Sequence, residues 1–301
     1  MTKRNLSNFD TVRPFDRLMV LSEVEAQAHH KRASKPTNDK RNRHMNTTIL
    51  ILIILIGLAL GSFLNVCIYR VPLKKSLLFP SSFCPKCGVK IRPYDNIPLL
   101  SFILLKGKCR NCKAKISMQY PLVEFITPVL LVLVYWRFGL TWGFVARSIL
   151  TLFLIATFFI DLRLRIIPDV LTLPGIILGF LLSFVVKSPT FLNSLLGILV
   201  GGGTFYLAAV LGEWIFKKES MGGGDIKLAM MLGAFLGWQK ILLVLLLSAF
   251  LGSLIGGIAL FFSKDVKETR TIPFGPFLAL GAVIAMFLGD ALISAYLRTF
   301  F

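Results

Sequence analysis

The sequence predicts an all-α protein that crosses a membrane about eight times and carries a small extramembrane insert built on four cysteines. Three observations carry that reading. Hydrophobic residues fill 55% of the 301 positions, and the mean hydropathy of +0.74 lies far above that of a soluble domain. The apolar runs are long, repeated and separated by short basic segments, the pattern of a polytopic membrane protein. Finally, four cysteines sit as two CxxC pairs in the one sizeable polar stretch between the runs.

Residues 1–46 are polar, show no helical period and hold ten Lys or Arg against five acids, so they read as a disordered tail. The first span covers residues 47–69. It is too long and too apolar for a cleavable signal segment, and the Gly57-xxx-Gly61 spacing lets a second helix approach it closely. Residues 70–118 form the insert, with eleven Lys or Arg and the single acid Asp95, a bias that assigns it to the cytoplasm. Residues 119–301 then make a seven-helix membrane domain, with apolar segments near 120–136, 144–160, 171–186, 190–216, 226–239, 241–262 and 274–297.

Alternate loops of that domain carry Arg163 and Arg165, then Lys217, Lys218 and Lys227, then Lys264, Lys267 and Arg270. Eight spans with both termini outside put these loops on the insert's side, and put Asp161 and Asp225 at cytoplasmic helix ends. The tail is the misfit. Its basic residues precede an outward-facing first span, against the positive-inside rule, so translation is expected to begin at Met45. The net charge of +19 gathers in loops on one side, which argues against a nucleic-acid partner. At the insert it suits anionic lipid headgroups.

The metal-ligating candidates are Cys84, Cys87, Cys109 and Cys112, with twenty-one residues between the two pairs. Four thiolates match tetrahedral Zn²⁺, and a bound ion would stabilise a loop too poor in aliphatic residues to fold on burial alone. A redox pair or two disulfides are the alternatives, and a reducing cytoplasm disfavours both. Cys67, inside the first span, reads as a small buried residue.

All three histidines, His29, His30 and His44, precede the first span. The membrane domain therefore has none for a Ser-His-Asp triad, a Cys-His pair or an HExxH zinc site. Its chemistry falls to Asp, Glu, Lys, Ser or Cys. Gly222-Gly223-Gly224 runs directly into Asp225, and such glycines permit φ > 0 or close approach to another element. Asp161 ends an apolar run sixty-four positions earlier. Carboxylates at a bilayer span cost free energy and mark sites. Two of them held together cannot both ionise cheaply; they share a proton, one acting as base on a water and the other as acid toward the leaving group.

Periodicity does not establish that Asp161 meets Asp225. Asp169, after Pro168, is a second candidate partner or a helix cap, and Asp290 reads as a helix-packing group. A transporter whose acids ligate ions is the rival reading, and it places the carboxylates near the bilayer midplane. A scaffold without chemistry gives no reason for the glycine-aspartate turn.

These residues resemble a known family, the bacterial type IV prepilin peptidases, which are GxGD-type membrane aspartyl proteases of family A24. Gly222-Gly223-Gly224-Asp225-Ile226-Lys227 is similar to the family's second aspartate motif. Ile160-Asp161 followed by Ile167-Pro168-Asp169 resembles the first. Residues 61–66 and 69–72, both CxxC pairs, residues 93–98 and 120–124, and Pro273-Phe274-Gly275-Pro276 extend the likeness. Residues 1–45 alone depart from it.

The resemblance implies Asp161 and Asp225 as the catalytic pair, with Gly222, Gly224, Lys227 and Asp169 in support. It implies an endopeptidase of the bacterial inner membrane that cuts the short basic leader of prepilins and pseudopilins, after a glycine, at the cytoplasmic face. It also implies methylation of the new N-terminal amine from S-adenosylmethionine, since members with the four-cysteine insert usually carry both activities. A peptidase lacking the methylase is the nearer alternative. The methyl-transfer residues have no readable motif, and Asp95 and Glu124 are chosen by position.

Overall fold

The computed structural model describes residues 47–217, 222–262 and 273–300. The expected tail, the Met45 start and the loop residues Lys218, Lys264, Lys267 and Arg270 lie outside the described residues. Residues 1–49 and 50–301 are separate units, and of the first only the start of one helix is described.

The elements are α1 (Thr47–Arg70), α2 (Leu100–Leu104), α3 (Gln119–Phe138), α4 (Trp142–Leu164), α5 (Asp169–Leu182), α6 (Phe191–Phe216), α7 (Gly223–Leu236), α8 (Trp238–Phe262) and α9 (Gly275–Phe300), with a 3₁₀ turn at Pro93–Asn96. Among the described residues there is no strand, and two isolated bridges mark the insert. Every apolar segment expected from the sequence is helical. Six of them, α1, α3, α4, α6, α8 and α9, are long and apolar enough to cross a membrane.

The remaining two fall short of the expected eight full spans. α5 and α7 have 14 residues each, or about 21 Å, against a hydrocarbon core of about 30 Å. The expected segments near 171–186 and 226–239 are themselves short, and both helices begin and end two to four residues earlier than expected. The N–H of Ser183 turns back to the Gly179 and Phe180 carbonyls to close α5. Gly237, at φ +84°, closes α7. α7 has no need of a lipid-facing length, because Leu228, Ala229, Met231, Leu232 and Ala234 are wholly buried by its neighbours.

Lipid tails are as apolar as leucine, so helices in a bilayer associate by close packing and hydrogen bonds more than by hydrophobic transfer. The α6–α7 contact shows this most clearly. A Cβ on Gly233 would lie 2.0 Å from the Gly197 carbonyl oxygen, and one on Gly197 would lie 2.2 Å from that of Gly233. One turn away, a Cβ on Gly201 would lie 2.5 Å from the Ala229 oxygen. The two backbones touch. Buried Ser194 adds a hydrogen bond from its hydroxyl to the Ala234 carbonyl at 2.8 Å.

The Gly57-xxx-Gly61 face does what its spacing predicts, meeting α3 at Pro128 and Glu124, where added Cβ atoms would lie 2.6 and 2.9 Å from the Cα atoms. Leu64, Ile68, Val123, Ile155 and Ile160 then bury the junction of α1, α3 and α4. A larger core joins α4, α7 and α9 through Leu150, Leu228, Leu232 and Leu278. The short link between α3 and α4 makes them antiparallel neighbours. The insert, which precedes α3, and the C-terminal end of α4 therefore lie on the same side of the bundle.

Backbone contact of this kind leaves no room for a side chain. Gly233→Val should destabilise the protein by at least the 1–3 kcal/mol or so typical of overpacking. Gly203→Ala, where an added Cβ meets nothing within 4 Å, should be neutral or stabilising by about 0.5–1 kcal/mol. Thermal unfolding of the two variants in detergent checks the contrast, and equal midpoints would contradict the α6–α7 geometry.

Candidate active site and metal centre

Asp161 stands in the last turn of α4, where Arg165 takes the left-handed C-cap conformation (φ 56°) and its N–H bonds the Asp161 carbonyl at 2.8 Å. The residue is 4% exposed. Its Oδ2 accepts the N–H of Gly275 at 3.0 Å, one of the N–H groups that a helix start leaves without an intrahelical partner. A Cβ at position 275 would lie 2.6 Å from that oxygen and 3.1 Å from Ile167 Cδ1, so the position is closed to any side chain.

Asp225 stands in the first turn of α7. Beside it, a Cβ on Gly224 would lie 3.0 Å from Ile167 Cβ and 3.2 Å from the Ile167 carbonyl oxygen. Ile167, in the short connection from α4 to α5, thus packs against the Asp161–Gly275 contact and against the backbone that carries Asp225. Ile167 thereby brings the two aspartate-bearing helix ends to one place. Asp225 Oδ1 is buried and has no hydrogen-bond partner among the described residues. A buried oxygen in that position calls for a proton or a water.

The three glycines before Asp225 divide their roles. None has positive φ, and Gly222 is an extended N-cap at φ −70°. Gly224 permits close approach to Ile167, whereas an added Cβ at Gly223 would meet nothing within 4 Å and one at Gly222 only Asp225 Oδ2 at 3.7 Å. The surface beside Asp225 is therefore open backbone.

Asp169, the other candidate partner, is engaged elsewhere. Both its oxygens lie 2.7 Å from Lys227 Nζ. The pair is 53% and 37% exposed at its side chains, and is worth no more than about 1 kcal/mol in stability. Its effect is positional: it joins the first turns of α5 and α7. At the opposite end of the bundle Asp290 pairs with Lys240 at 2.9 Å, the packing role expected of it. Gly275 is the site residue that sequence reasoning left without a role. Its signal was the Pro273-Phe274-Gly275-Pro276 stretch, where a glycine between prolines opens an apolar helix.

The cysteine insert is two copies of one turn. The N–H of Cys84 bonds Val89 O at 3.0 Å and that of Cys109 bonds Ala114 O at 2.8 Å. Gly88 N–H returns to Cys84 O at 2.9 Å and Lys113 N–H to Cys109 O at 3.1 Å. Gly88 (φ 71°) and Lys113 (φ 57°) both take the left-handed position that this turn requires. The four Sγ atoms lie within 4.8 Å of one another, with Cys84 and Cys112 at 3.8 Å, and all four are free thiols. Sulfurs about 2.3 Å from a central Zn²⁺ form a tetrahedron with edges of about 3.8 Å. The cluster therefore fits a metal ion. The backbone N–H of Val89 is the main influence bringing the Cys87 thiol down to about 7, and those of Cys112 and Asn111 lower that of Cys109. Such N–H···S contacts favour the thiolate that a metal needs.

Asp95 and Glu124 each hold a piece of the insert. Asp95 forms a forked pair with Arg110, Nε at 2.8 Å and Nη2 at 2.6 Å, and that hydrogen-bonded guanidinium keeps its carboxyl below the usual range. The segment between the cysteine pairs is thereby tied to the second pair. Glu124 Oε2 accepts the N–H of Leu99 at 2.8 Å, ahead of α2. Asn65 Nδ2 donates to the Tyr120 carbonyl at 3.0 Å, joining α1 to the start of α3.

The chain matches two family profiles: the bacterial peptidase A24 N-terminal domain over residues 55–138, and the type IV leader peptidase family over residues 148–257. It is 39% identical to the prepilin leader peptidase/N-methyltransferase of Pseudomonas aeruginosa over 272 residues, covering 81% of this chain and 92% of that protein. It is 39% identical to the protein of the same name from Aeromonas salmonicida over 277 residues, 82% of this chain and 94% of the relative. The corresponding Neisseria gonorrhoeae protein is 36% identical over 260 residues, 78% and 89% of the two chains. No solved structure matches. With matches that span the four-cysteine insert and both aspartate motifs, the chain belongs to the type IV leader peptidase family.

Proposed function

We propose that this chain is a membrane aspartyl endopeptidase that removes the leader from type IV prepilins and pseudopilins at the cytoplasmic face and then N-methylates the exposed N-terminal residue. The observation that supports the peptidase is that Ile167 packs both against the Asp161–Gly275 contact at the end of α4 and against Gly224, beside Asp225, at the start of α7. A transporter would hold such acids near the midplane of its spans; here both stand at helix ends.

The reaction follows from the pair. One carboxylate takes a proton from a water as its oxygen attacks the scissile carbonyl, and the partner carboxyl protonates the carbonyl oxygen. The tetrahedral intermediate then collapses. The C–N bond breaks, the amine leaves with a proton from the dyad, and a carboxyl group remains on the leader. Gly275 holds Asp161 in place by its N–H. The open backbone at Gly222 and Gly223 gives an extended substrate strand room to approach Asp225. A prepilin is a basic leader followed by a long apolar helix, so its cut site comes to a membrane-surface dyad while the helix stays in lipid.

For the second activity, S-adenosylmethionine would supply the methyl group to the new amine. Asp95, paired with Arg110, and Glu124, which holds Leu99 through one oxygen, support the insert's shape and are the residues proposed for methyl transfer. Cys84, Cys87, Cys109 and Cys112 would hold a structural Zn²⁺, whose contribution is to fix the insert.

Asp161→Asn and Asp225→Asn should each lower prepilin cleavage by at least about 10²-fold with the protein still inserted. The double variant should lose no more than either single one, because the pair acts as a unit. Mass spectrometry of a co-expressed prepilin reads both leader removal and methylation. Normal cleavage by either single variant would sink the assignment, and loss confined to Asp169→Asn would move the first aspartate.

The metal centre makes a separate prediction. Purified protein should carry about one zinc per chain, and Cys84→Ser with Cys109→Ser should remove it. Methylation should fail before cleavage does, because the dyad lies outside the insert. Metal-free protein that is fully active in both reactions would refute the centre.

A further inference from the structure

The first span does not release the chain freely into solvent. Directly after α1 the backbone doubles back, with the N–H groups of Leu73 and Lys75 each 3.1 Å from the Arg70 carbonyl. The Arg70 side chain then fastens the next stretch. Nη1 donates to the carbonyls of Ser76 (3.0 Å) and Leu77 (3.3 Å), and Nη2 to that of Pro80 (2.6 Å). Ser76 Oγ accepts the N–H groups of Leu78 and Phe79 at 3.3 Å each. Arg70 itself is buried. The loop is held from beneath along its whole length.

Two of its apolar side chains nevertheless point away from the protein. Leu78 and Phe79 are each 77% exposed, and Lys74 and Lys75 beside them are exposed as well. The length of α1 says where this happens. Its 24 residues span about 36 Å, more than the hydrocarbon core of about 30 Å, so Arg70 lies at headgroup depth. An arginine side chain is short on the scale of a bilayer, and the carbonyls it binds stay at that depth. Exposed apolar side chains flanked by lysines, at that level, are what the lipid interface takes up.

We infer that residues 76–80 are an interfacial anchor. Leu78 and Phe79 enter the boundary between headgroups and acyl chains, and Lys74 and Lys75 rest on anionic headgroups. The anchor fixes the height of the insert over the membrane, since Cys84 follows Pro80 by four residues. This stands apart from the peptidase reading and survives its failure.

The test uses the full chain with Phe79→Trp, reconstituted in phosphatidylcholine vesicles brominated on the acyl chains, with and without phosphatidylglycerol. Tryptophan emission is compared with that of the parent protein. The added emission should be blue-shifted, largely quenched by the brominated lipid, and more so with phosphatidylglycerol. Lys74→Gln with Lys75→Gln should abolish the phosphatidylglycerol increment alone. Leu78→Trp repeats the measurement should Phe79→Trp insert poorly. Added emission that is water-like and unquenched in both tryptophan variants overturns the proposal. So does emission that stays unquenched by lipid but shifts on addition of a prepilin, which would make the loop a substrate-docking face.

Discussion

The hydrogen bond from Gly275 to Asp161 joins residues 114 positions apart, and the geometry of the site depends on it. It is a backbone donor at a helix start meeting a carboxylate at a helix end, so α4 and α9 must be placed to within the tolerance of one short contact. Ile167 fills the space beneath and leaves room for a side chain at neither Gly275 nor Gly224. A single isoleucine thus packs against the Gly275–Asp161 contact and against the backbone that carries Asp225.

That arrangement requires α7 to be held by something other than lipid, because at 14 residues it is too short to be anchored as a span. The backbone contact at Gly197 and Gly233 supplies the hold. Helices that touch at their carbonyls exclude lipid between them and gain dispersion along the whole face. The Lys227–Asp169 pair adds little energy but joins the two short helices at the end where Asp225 stands. Packed against α6 and the equally short α5, with α8, α9 and α4 beyond them, α7 gives Asp225 a fixed position.

The legible part of the fold was whatever leaves a local mark. Apolar length marks helices, CxxC spacing marks a metal loop, and Gly57-xxx-Gly61 marks a close crossing; each is a property of a short window. The run into Asp225 was conspicuous for the same reason. What could not be read depends on a partner far along the chain. Nothing around Asp169 says that it faces Lys227 and not Asp225, since both would be one helix end against another. Gly275 contributes a backbone N–H, which every residue but proline has, so only the exclusion of a side chain there reveals its use. α5 and α7 were counted among the spans because each is an apolar run, and the turns at Ser183 and Gly237 leave no mark in hydropathy. Asp95 and Glu124 were chosen as the acids nearest the insert, and nothing local to them shows that Arg110 and the N–H of Leu99 are their partners.

The insert and Asp161 sit on one side of the bundle for a reason of chain parity: α1 leads into the insert, α3 leaves it, and α4 returns to the same side, where Asp161 stands. Arg70 and Glu124 then tie the insert to α1 and α3 by hydrogen bonds at the membrane end, and Asn65 joins those two helices. An insert on two free linkers would sample a large volume, and its encounter with a product would be governed by linker statistics. Bound at both flanks, it stands over the side on which a peptide cut at the dyad exposes its new amine. The order of the two proposed reactions is then built into the topology. On the proposed function, cleavage creates the amine at the face where the insert is already placed, and the apolar helix of the product need not leave the bilayer between the two steps.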